Sequence, residues 1–246
     1  ETTFGNLRYF KRLPEGTECA VATSKVINLS DVFGDSDQTN KFVTRYLQST
    51  HCDLFFADAA ILVEGVAESM LLPHFIRSKF PELYQRYITI LGVNGRHAHR
   101  LSPLIEKLCL PTLVITDLDP AEKEGYHKSV VLKRGEGQIS GNYAIAKWLM
   151  KEKDIDKLVD YSEDKKEFSF ASPYRFSIRL AYQTPVKVDF EGEEKEAIPG
   201  TFEDCLIYTN YDLFKKIKVT DSGNLVEQTH DLLNSNDTFE MIHEKI

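Results

Sequence analysis

The stretch Ala59-Ala60-Ile61-Leu62-Val63-Glu64-Gly65 decides the fold that this sequence predicts. Five consecutive apolar residues ended by Glu-Gly are typical of a short strand that is buried on both faces. Residues 66–80 follow directly and carry apolar side chains at helical spacing, at Val66, Met70 and Phe75. A buried strand that leads straight into a helix predicts a strand–helix–strand unit with parallel strands.

Two more apolar runs extend this pattern. Residues 87–93 and 111–116 each predict a buried strand, and residues 97–108 between them have helical period. Strand, helix, strand, helix, strand predicts an α/β fold with a central, mainly parallel sheet flanked by helices. The pattern is less regular from residue 141 to residue 246, where we expect an additional helical or mixed segment.

Weaker patterns surround this core. Short strands are expected within the first 30 residues, and a helix is expected over 36–51. Residues 121–140 predict a polar loop, and the strongly charged residues 151–167 are expected to be solvated. Further elements are a helix over 142–152, strands over 175–182 and 186–188, and a helix that begins at Thr201, whose side chain can cap it.

Four carboxylates stand at the ends of two of the predicted strands. Glu64 and Glu68 are four residues apart, on one side of a helical turn, and Asp117 and Asp119 are two apart, on one side of extended backbone. Chemistry in open α/β sheets gathers at the carboxyl ends of the strands. Carboxylate oxygens suit hard cations, and two such ions can assist phosphoryl transfer. The four acids therefore predict a site for Mg²⁺ or Mn²⁺ ions.

Other patterns limit the alternatives. Either acidic pair alone is a weak signal, because most such pairs are exposed surface, but their order along strand, helix and strand is selective. The four cysteines form no CxxC pair, so neither a zinc site nor a disulfide framework is predicted, and His97 and His99 are not expected to bind the metal. The net charge of −8 argues against a simple DNA-binding module, which should be basic.

The sequence resembles the Toprim domain that topoisomerases, primases and several nucleases share. The matching segments are 61–65 and 113–119, and residues 56–73, 112–120 and 201–203 extend the similarity to the OLD (overcoming lysogenisation defect) family of nucleases. The resemblance covers roughly residues 50–210 and implies a two-metal active site that cuts DNA. It implies Glu64, Asp117, Asp119 and Lys245 as catalytic residues. It implies the metal ligands Glu64, Glu68, Asp117, Asp119 and Glu203, with Asp204 as the rival of Glu203. For the catalytic lysine, the rival of Lys245 is a residue beyond Ile246.

In that family an ABC-type ATPase precedes the nuclease, and no Walker A pattern is present in this sequence. The resemblance therefore implies three parts: residues 1–50 leading out of a missing ATPase, residues 51–140 as the Toprim core, and residues 141–246 as the extension that completes the site. ATP would act only through the absent ATPase, and a homodimer would form through that region.

Several cations are candidates for contacts to DNA. Arg96 and Arg100 open the second predicted helix, and Lys133 and Arg134 lie in the predicted loop. For each pair a solvated polar surface is the competing interpretation. Asn142 follows the loop, where it can cap a helix or approach the acids.

The sequence thus predicts a divalent-metal-dependent DNA endonuclease. The alternatives are a Toprim nucleotidyl transferase or topoisomerase component, although no tyrosine has a recognisable attacking context, and a non-catalytic Toprim-like scaffold. No run of about 18 apolar residues occurs, so no membrane partner is predicted. We expect a cytoplasmic location.

Overall fold

The computed structural model describes residues 7–13, 15, 20–30, 32, 51–93, 97–123, 130–171, 174–218 and 224–246. Its contacts divide the chain into two compact units. Unit 1 comprises the described residues of 1–116, 147–150 and 163–181, and unit 2 those of 117–146, 151–162 and 182–246. The helix predicted over 36–51 falls almost entirely outside the described residues. Among the described helices, none combines the length and apolar character needed to cross a membrane.

Unit 1 is built on a five-stranded sheet with the order β4–β3–β5–β9–β8. Strands β3, β4, β5 and β9 run parallel, and β8 pairs antiparallel with β9 at the edge. The strands are β3 (Ala59–Val63), β4 (Ile88–Gly92), β5 (Thr112–Ile115), β8 (Glu167–Phe170) and β9 (Phe176–Ala181). The α/β fold with a central, mainly parallel sheet is therefore confirmed.

The central strands form because their side chains are buried on both faces. Leu62, Leu91, Val114 and Leu180 are all essentially inaccessible to solvent. Continuous apolar runs of this kind are characteristic of parallel strands covered by helices. In the register of the sheet, Val63 is paired with both Gly92 and Ile115, so β3, β4 and β5 end at the same level.

The helices of unit 1 follow the predicted alternation. Helix α1 (Val66–Lys79) connects β3 to the short helix α2 (Pro81–Tyr84), and β4 follows. The predicted helix over 97–108 begins as a 3-10 turn (Ala98–Leu101) and continues as α3 (Ser102–Leu108). An antiparallel hairpin of β1 (Arg8–Leu13) and β2 (Thr23–Asn28) and a 3-10 turn at Cys52–Phe55 complete the described part of this unit.

Unit 2 contains two small antiparallel sheets and several helices. Strand β6 (Pro120–Ala121) pairs with β7 (Ile139–Ser140), and β10 (Val186–Phe190) pairs with β11 (Glu193–Ala197). The helices are α4 (Ile155–Val159), α5 (Phe202–Thr209), α6 (Tyr211–Lys216), α7 (Leu225–Leu233) and α8 (Phe239–Lys245). A π-helical turn spans Ala144–Trp148, where the sequence predicts a longer helix; its first three residues belong to unit 2 and its last two to unit 1. The core of β10, β11 and these helices contains Val188, Ala197, Tyr208, Tyr211, Leu233, Phe239 and Ile242.

The charged stretch 151–167 is less solvated than predicted. Ile155 and Leu158 of α4 are buried, and Lys166 is only 1% exposed. Lys166 lies beside Glu163, with 2.8 Å between its Nζ and Oε1, and Glu163 also accepts a hydrogen bond from Arg179 at 2.8 Å. The prediction of a solvated segment is wrong here because a paired lysine can be buried when its partner stays at the surface.

Candidate functional site

Glu64 follows the last residue of β3, at the carboxyl edge of the sheet. One of its carboxylate oxygens accepts a hydrogen bond from the Thr116 hydroxyl, which follows β5. Thr116 is buried, and its backbone N–H donates to the carbonyl of Ala181 at 3.0 Å, at the end of β9. The ends of three parallel strands therefore hold the Glu64 side chain in a defined position.

Gly65 and Glu68 shape the start of α1. Gly65 is the N-cap, with extended backbone, and the Glu68 side chain is in the first turn with only 3% of the residue exposed. The Glu68 carboxylate lies so close to Gly65 that a Cβ atom at position 65 would collide with it. A carboxylate in the first helical turn is stabilised by the positive end of the helix dipole. The Glu-Gly pair therefore leaves room for a buried acid beside Glu64.

Asp117 is held by a glutamine that the sequence analysis did not single out. The Gln183 side chain donates a hydrogen bond from Nε2 to Oδ1 of Asp117 and accepts one at Oε1 from the backbone N–H of Leu118, at 3.0 Å. Gln183 is buried. A buried amide that bridges these two groups limits the orientations open to the Asp117 carboxylate. Gln183 directly follows the strand that the sequence predicts over 175–182. A polar side chain at that strand end was the signal that could have identified Gln183 as a site residue.

Asp119 adopts left-handed backbone, with φ of 48°, and Asn142 holds its side chain. Nδ2 of Asn142 donates to Oδ2 of Asp119 at 3.2 Å, and the backbone N–H of Gly141 donates to the Asp119 carbonyl at 2.9 Å. Oδ1 of Asn142 accepts a hydrogen bond from the backbone N–H of Ala144 at 2.9 Å. Asn142 is completely buried, and it serves both roles considered for it: it caps the following turn and approaches an acid.

The two acids at the start of α5 have different surroundings. Thr201 caps the helix by accepting a hydrogen bond from the Asp204 N–H at 3.1 Å. Asp204 reciprocates as an acceptor from the backbone N–H groups of Gly200 and Thr201, at 3.1 and 3.0 Å. This capping box occupies the Asp204 carboxylate. Glu203, the neighbouring candidate, is exposed to solvent.

The predicted basic residues of unit 2 are all in ion pairs. Lys133 lies 2.7 Å from Glu244, which holds the pKa of Lys133 above its usual value. Arg134 pairs with Asp160 at 2.7 Å and with Glu196 at 3.2 Å. Lys245, in the last turn of α8, pairs with Asp237 at 2.5 Å. A phosphate would have to compete with these carboxylates.

The other two predicted DNA contacts are in or near unit 1. Arg96 lies outside the described residues. Arg100 lies in the 3-10 turn before α3, partly exposed. Burial lowers the pKa of the nearby His97, and the charge of Arg100 lowers it further, which favours the neutral imidazole. A neutral imidazole adds no positive charge to this end of α3.

The described residues contain no group of three or more His, Cys, Asp or Glu side chains arranged to hold a metal ion. Each of three predicted ligands accepts a hydrogen bond from a nearby side chain. Glu64 accepts from Thr116, Asp117 accepts from Gln183, and Asp119 accepts from Asn142. Carboxylates that gathered closely without a cation would repel one another.

Comparisons with known proteins found two similarities. Residues 55–119 match the family model described as "Overcoming lysogenization defect protein-like, TOPRIM domain". The chain is also similar to endonuclease GajA of Bacillus cereus (strain HuB5-5), with 28% identity over 175 residues. The aligned region is 71% of this chain and 23% of the relative, so the chain spans less than a quarter of that protein's length.

Proposed function

From the OLD-like Toprim domain that residues 55–119 form, we propose that this chain cuts DNA as the catalytic part of a divalent-metal-dependent endonuclease. The observation that carries the proposal is the hydrogen bond between Thr116 and Glu64, at the carboxyl ends of the neighbouring parallel strands β5 and β3. Asp117 is the next residue after Thr116. An endonuclease among the similar proteins supports the same chemistry.

The available donor atoms fit a hard cation. The acids that we propose as ligands are Glu64, Glu68, Asp117, Asp119 and Glu203, all of which offer carboxylate oxygens, the donors that Mg²⁺ and Mn²⁺ prefer. Asp204 is not included, because its carboxylate is used in the capping box of α5. When bound, two divalent ions supply charge neutralisation for a phosphate and favour ionisation of a water nucleophile.

The surrounding residues have positioning roles in this proposal. Thr116 orients Glu64, Gln183 orients Asp117, and Asn142 orients Asp119. Partners of this kind restrict each carboxylate to few rotamers, so less conformational freedom is lost when a ligand binds. We include Lys245 as a candidate catalytic lysine that must first leave its ion pair with Asp237.

The remaining partners belong to the same proposal. DNA is the substrate. A role for ATP and a homodimer, both implied by the resemblance to the OLD family, stay predictions. Lys133, Arg134, Arg100 and Arg96 stay as predicted phosphate contacts.

The test is cleavage of supercoiled plasmid DNA by the wild-type chain and by two variants, Glu64→Gln and Asp117→Asn. We expect nicked or linear product with Mg²⁺ or Mn²⁺ and none with chelator. Each variant keeps the shape of the side chain and removes one negative charge, so we expect cleavage to fall at least about 100-fold, the scale on which removing one electrostatic stabiliser acts. Glu240→Gln, at an exposed glutamate in the first turn of α8, is the matched control and should cut like wild type.

A second readout does not depend on cleavage. Mn²⁺ binding is measured by calorimetry on the same variants, and we expect it to weaken in Glu64→Gln and Asp117→Asn and to be unchanged in Glu240→Gln. Cleavage by both variants at the wild-type rate would refute the proposal. Metal binding with no cleavage of any DNA would instead support a non-catalytic Toprim-like scaffold.

A further inference from the structure

The segment 77–87 of unit 1 joins α1 to β4 and presents its side chains to solvent without interruption. Three of its aromatic residues are at least half exposed: Phe80 is 57% accessible, Tyr84 58% and Tyr87 50%. Exposed apolar surface of this kind can mark an interaction site. We refer to residues 77–87 as the aromatic–basic segment.

The backbone beneath these rings is ordered by hydrogen bonds. The Phe80 N–H donates to the carbonyl of Ile76 at 3.0 Å, and the Tyr84 N–H donates to the carbonyl of Phe80 at 2.9 Å. At the far end Asp58 holds Tyr87 twice: its carboxylate accepts from the Tyr87 N–H at 3.1 Å, and its own N–H donates to the Tyr87 carbonyl at 2.7 Å. The rings therefore stand on a fixed backbone, so binding a ligand orders little additional chain.

The charge of this segment is opposite to that of the whole chain. The segment contains three cations, Arg77, Lys79 and Arg86, and one acid, Glu82. Its net charge is therefore +2, in a chain of net charge −8. The three cations are exposed, and they take part in none of the ion pairs found among the described residues. This differs from Lys133 and Arg134, whose charges are already neutralised.

A cavity of 560 Å³ opens within the same segment. Its lining comprises Lys79, Phe80, Pro81, Glu82, Leu83 and Arg86. The volume lies within the range of small-molecule sites, about 300–1,000 Å³. Its lining includes one aromatic ring, two cations and one acid, so it offers a stacking surface and a net positive charge to a base and its phosphate.

We infer that the aromatic–basic segment binds a single-stranded segment of DNA, with bases stacked on Phe80 and Tyr84 and phosphates paired with Arg77, Lys79 and Arg86. Proteins that hold unpaired strands combine a cationic surface with rings on which successive bases stack. A duplex offers the phosphates but not the free base faces, so the exposed rings favour unpaired DNA. The inference rests on the proposed nuclease function and names its substrate class as DNA with an unpaired region.

The distance from the aromatic–basic segment to Glu64 determines how many unpaired nucleotides are needed to reach both. Helix α1 begins two residues after Glu64 and has 14 residues, so its length of about 21 Å, at 1.5 Å per residue, separates Phe80 from Glu64. A strand that reached from the segment to Glu64 would therefore span several nucleotides. We expect short oligonucleotides, of two or three nucleotides, to bind much more weakly than longer ones.

The test uses fluorescence anisotropy with the 246-residue chain and a fluorescein-labelled 20-nucleotide oligothymidine, in chelator so that no cleavage occurs. Stacking contributes about 1–3 kcal/mol per base, which corresponds to roughly 5-fold to 150-fold in Kd for each ring. We expect Phe80→Ala and Tyr84→Ala each to weaken binding by at least about 5-fold. Phe56→Ala, which removes an exposed ring whose charged neighbours in sequence, Asp53 and Asp58, are acidic, is the control and should leave Kd unchanged.

The cations are tested by the salt dependence of the same binding. Replacing Arg77, Lys79 and Arg86 together by Gln should lower the slope of log K against log salt by about 2, since each phosphate contact to a single strand contributes about 0.7. Replacing Lys215, Lys216 and Lys218 by Gln makes the same change in net charge on α6 and the residues after it. That control should leave the slope largely unchanged.

The outcomes separate this inference from the proposed function. Wild-type affinity in the ring variants, or absence of any DNA binding by the intact chain, would overturn the inference. Glu64→Gln should bind the oligonucleotide with wild-type affinity but should not cut DNA. Loss of cleavage and loss of binding can therefore be told apart. If the ring variants change self-association in light scattering but not Kd for DNA, the segment is a protein interface and the inference is wrong.

Discussion

Replacing Gly65 by alanine tests whether Gly65 is there to make room for the buried Glu68 carboxylate. The backbone at Gly65 has φ of −105° and ψ of 167°, which any residue can adopt, so alanine adds no backbone strain. The added Cβ would overlap the Glu68 carboxylate, which is almost fully buried. Forcing an extra carbon into a packed site costs about 1–3 kcal/mol, and loss of glycine at an N-cap adds at most about 1 kcal/mol.

The steric origin of this cost can be isolated with a double-mutant cycle. In a Glu68→Ala background the collision is absent, and only the capping contribution of about 1 kcal/mol or less should remain. We therefore expect a coupling of about 1–3 kcal/mol between positions 65 and 68, equal to the steric cost. Gly92→Ala is the control, because its Cβ would meet only the Ser69 hydroxyl, at 3.3 Å, and a shift of a few tenths of an ångström relieves that contact.

The measurement is urea unfolding followed by the fluorescence of Trp148. Trp148 is the single tryptophan of the chain and belongs to unit 1, as Gly65 and Glu68 do. Its signal therefore reports the unit in which the change is made. An equal loss of stability for Gly65→Ala with and without Glu68 would refute the reasoning, and so would a Gly92→Ala cost as large as that of Gly65→Ala.

Two other predictions concern unit 2. Gln183→Leu keeps the size of the side chain but removes the donor to the half-buried Asp117 carboxylate and the acceptor of the buried Leu118 N–H. We therefore expect a loss of about 1–3 kcal/mol in the free energy of unfolding, measured by calorimetry, and reduced cleavage. Unchanged values of both would contradict the positioning role. Nδ1 of His243 is hydrogen-bonded to the hydroxyl of the buried Tyr208, at 2.6 Å. Burial lowers the pKa of His243, although the negative charge of Asp204 acts in the opposite direction. The folded state therefore resists protonation, and stability should be complete above about pH 6.5 and should decline as the pH falls below it, because the unfolded chain binds the proton first. The decline, measured as the urea midpoint against pH by circular dichroism, should be smaller in His243→Gln, and an identical decline would show that other groups cause it.

The strands and helices at the centre of the fold could be predicted from local sequence patterns. The strands over 59–63, 88–92 and 112–115 are short apolar runs, and the helices between them have helical period and clear ends, so each element is decided by its own residues. The resemblance to the Toprim domain of the OLD family, read from the residues around Glu64 and Asp117, is confirmed over residues 55–119. The capping of α5 by Thr201 is confirmed for the same local reason.

Other features depend on contacts between distant residues. Strand β9 pairs parallel with β5 although more than 60 residues separate them, and no pattern within either strand specifies that neighbour. The burial of Lys166 depends on Glu163 and on packing around it, and composition predicted the opposite. The ion pair between Lys133 and Glu244 joins residues 111 positions apart.

The stretch from Ala59 to Gly65 marks the division between sequence and tertiary structure. The sequence by itself determined that a buried strand ends there and that a glutamate follows, because burial and helix initiation are properties of neighbouring residues. Only the tertiary structure decided that Thr116 would hold Glu64, that Glu68 would fill the space beside Gly65, and that Gln183 would hold Asp117. Hydrogen bonds between side chains require the closeness of atoms that are remote in the chain, and packing alone determines which of them meet.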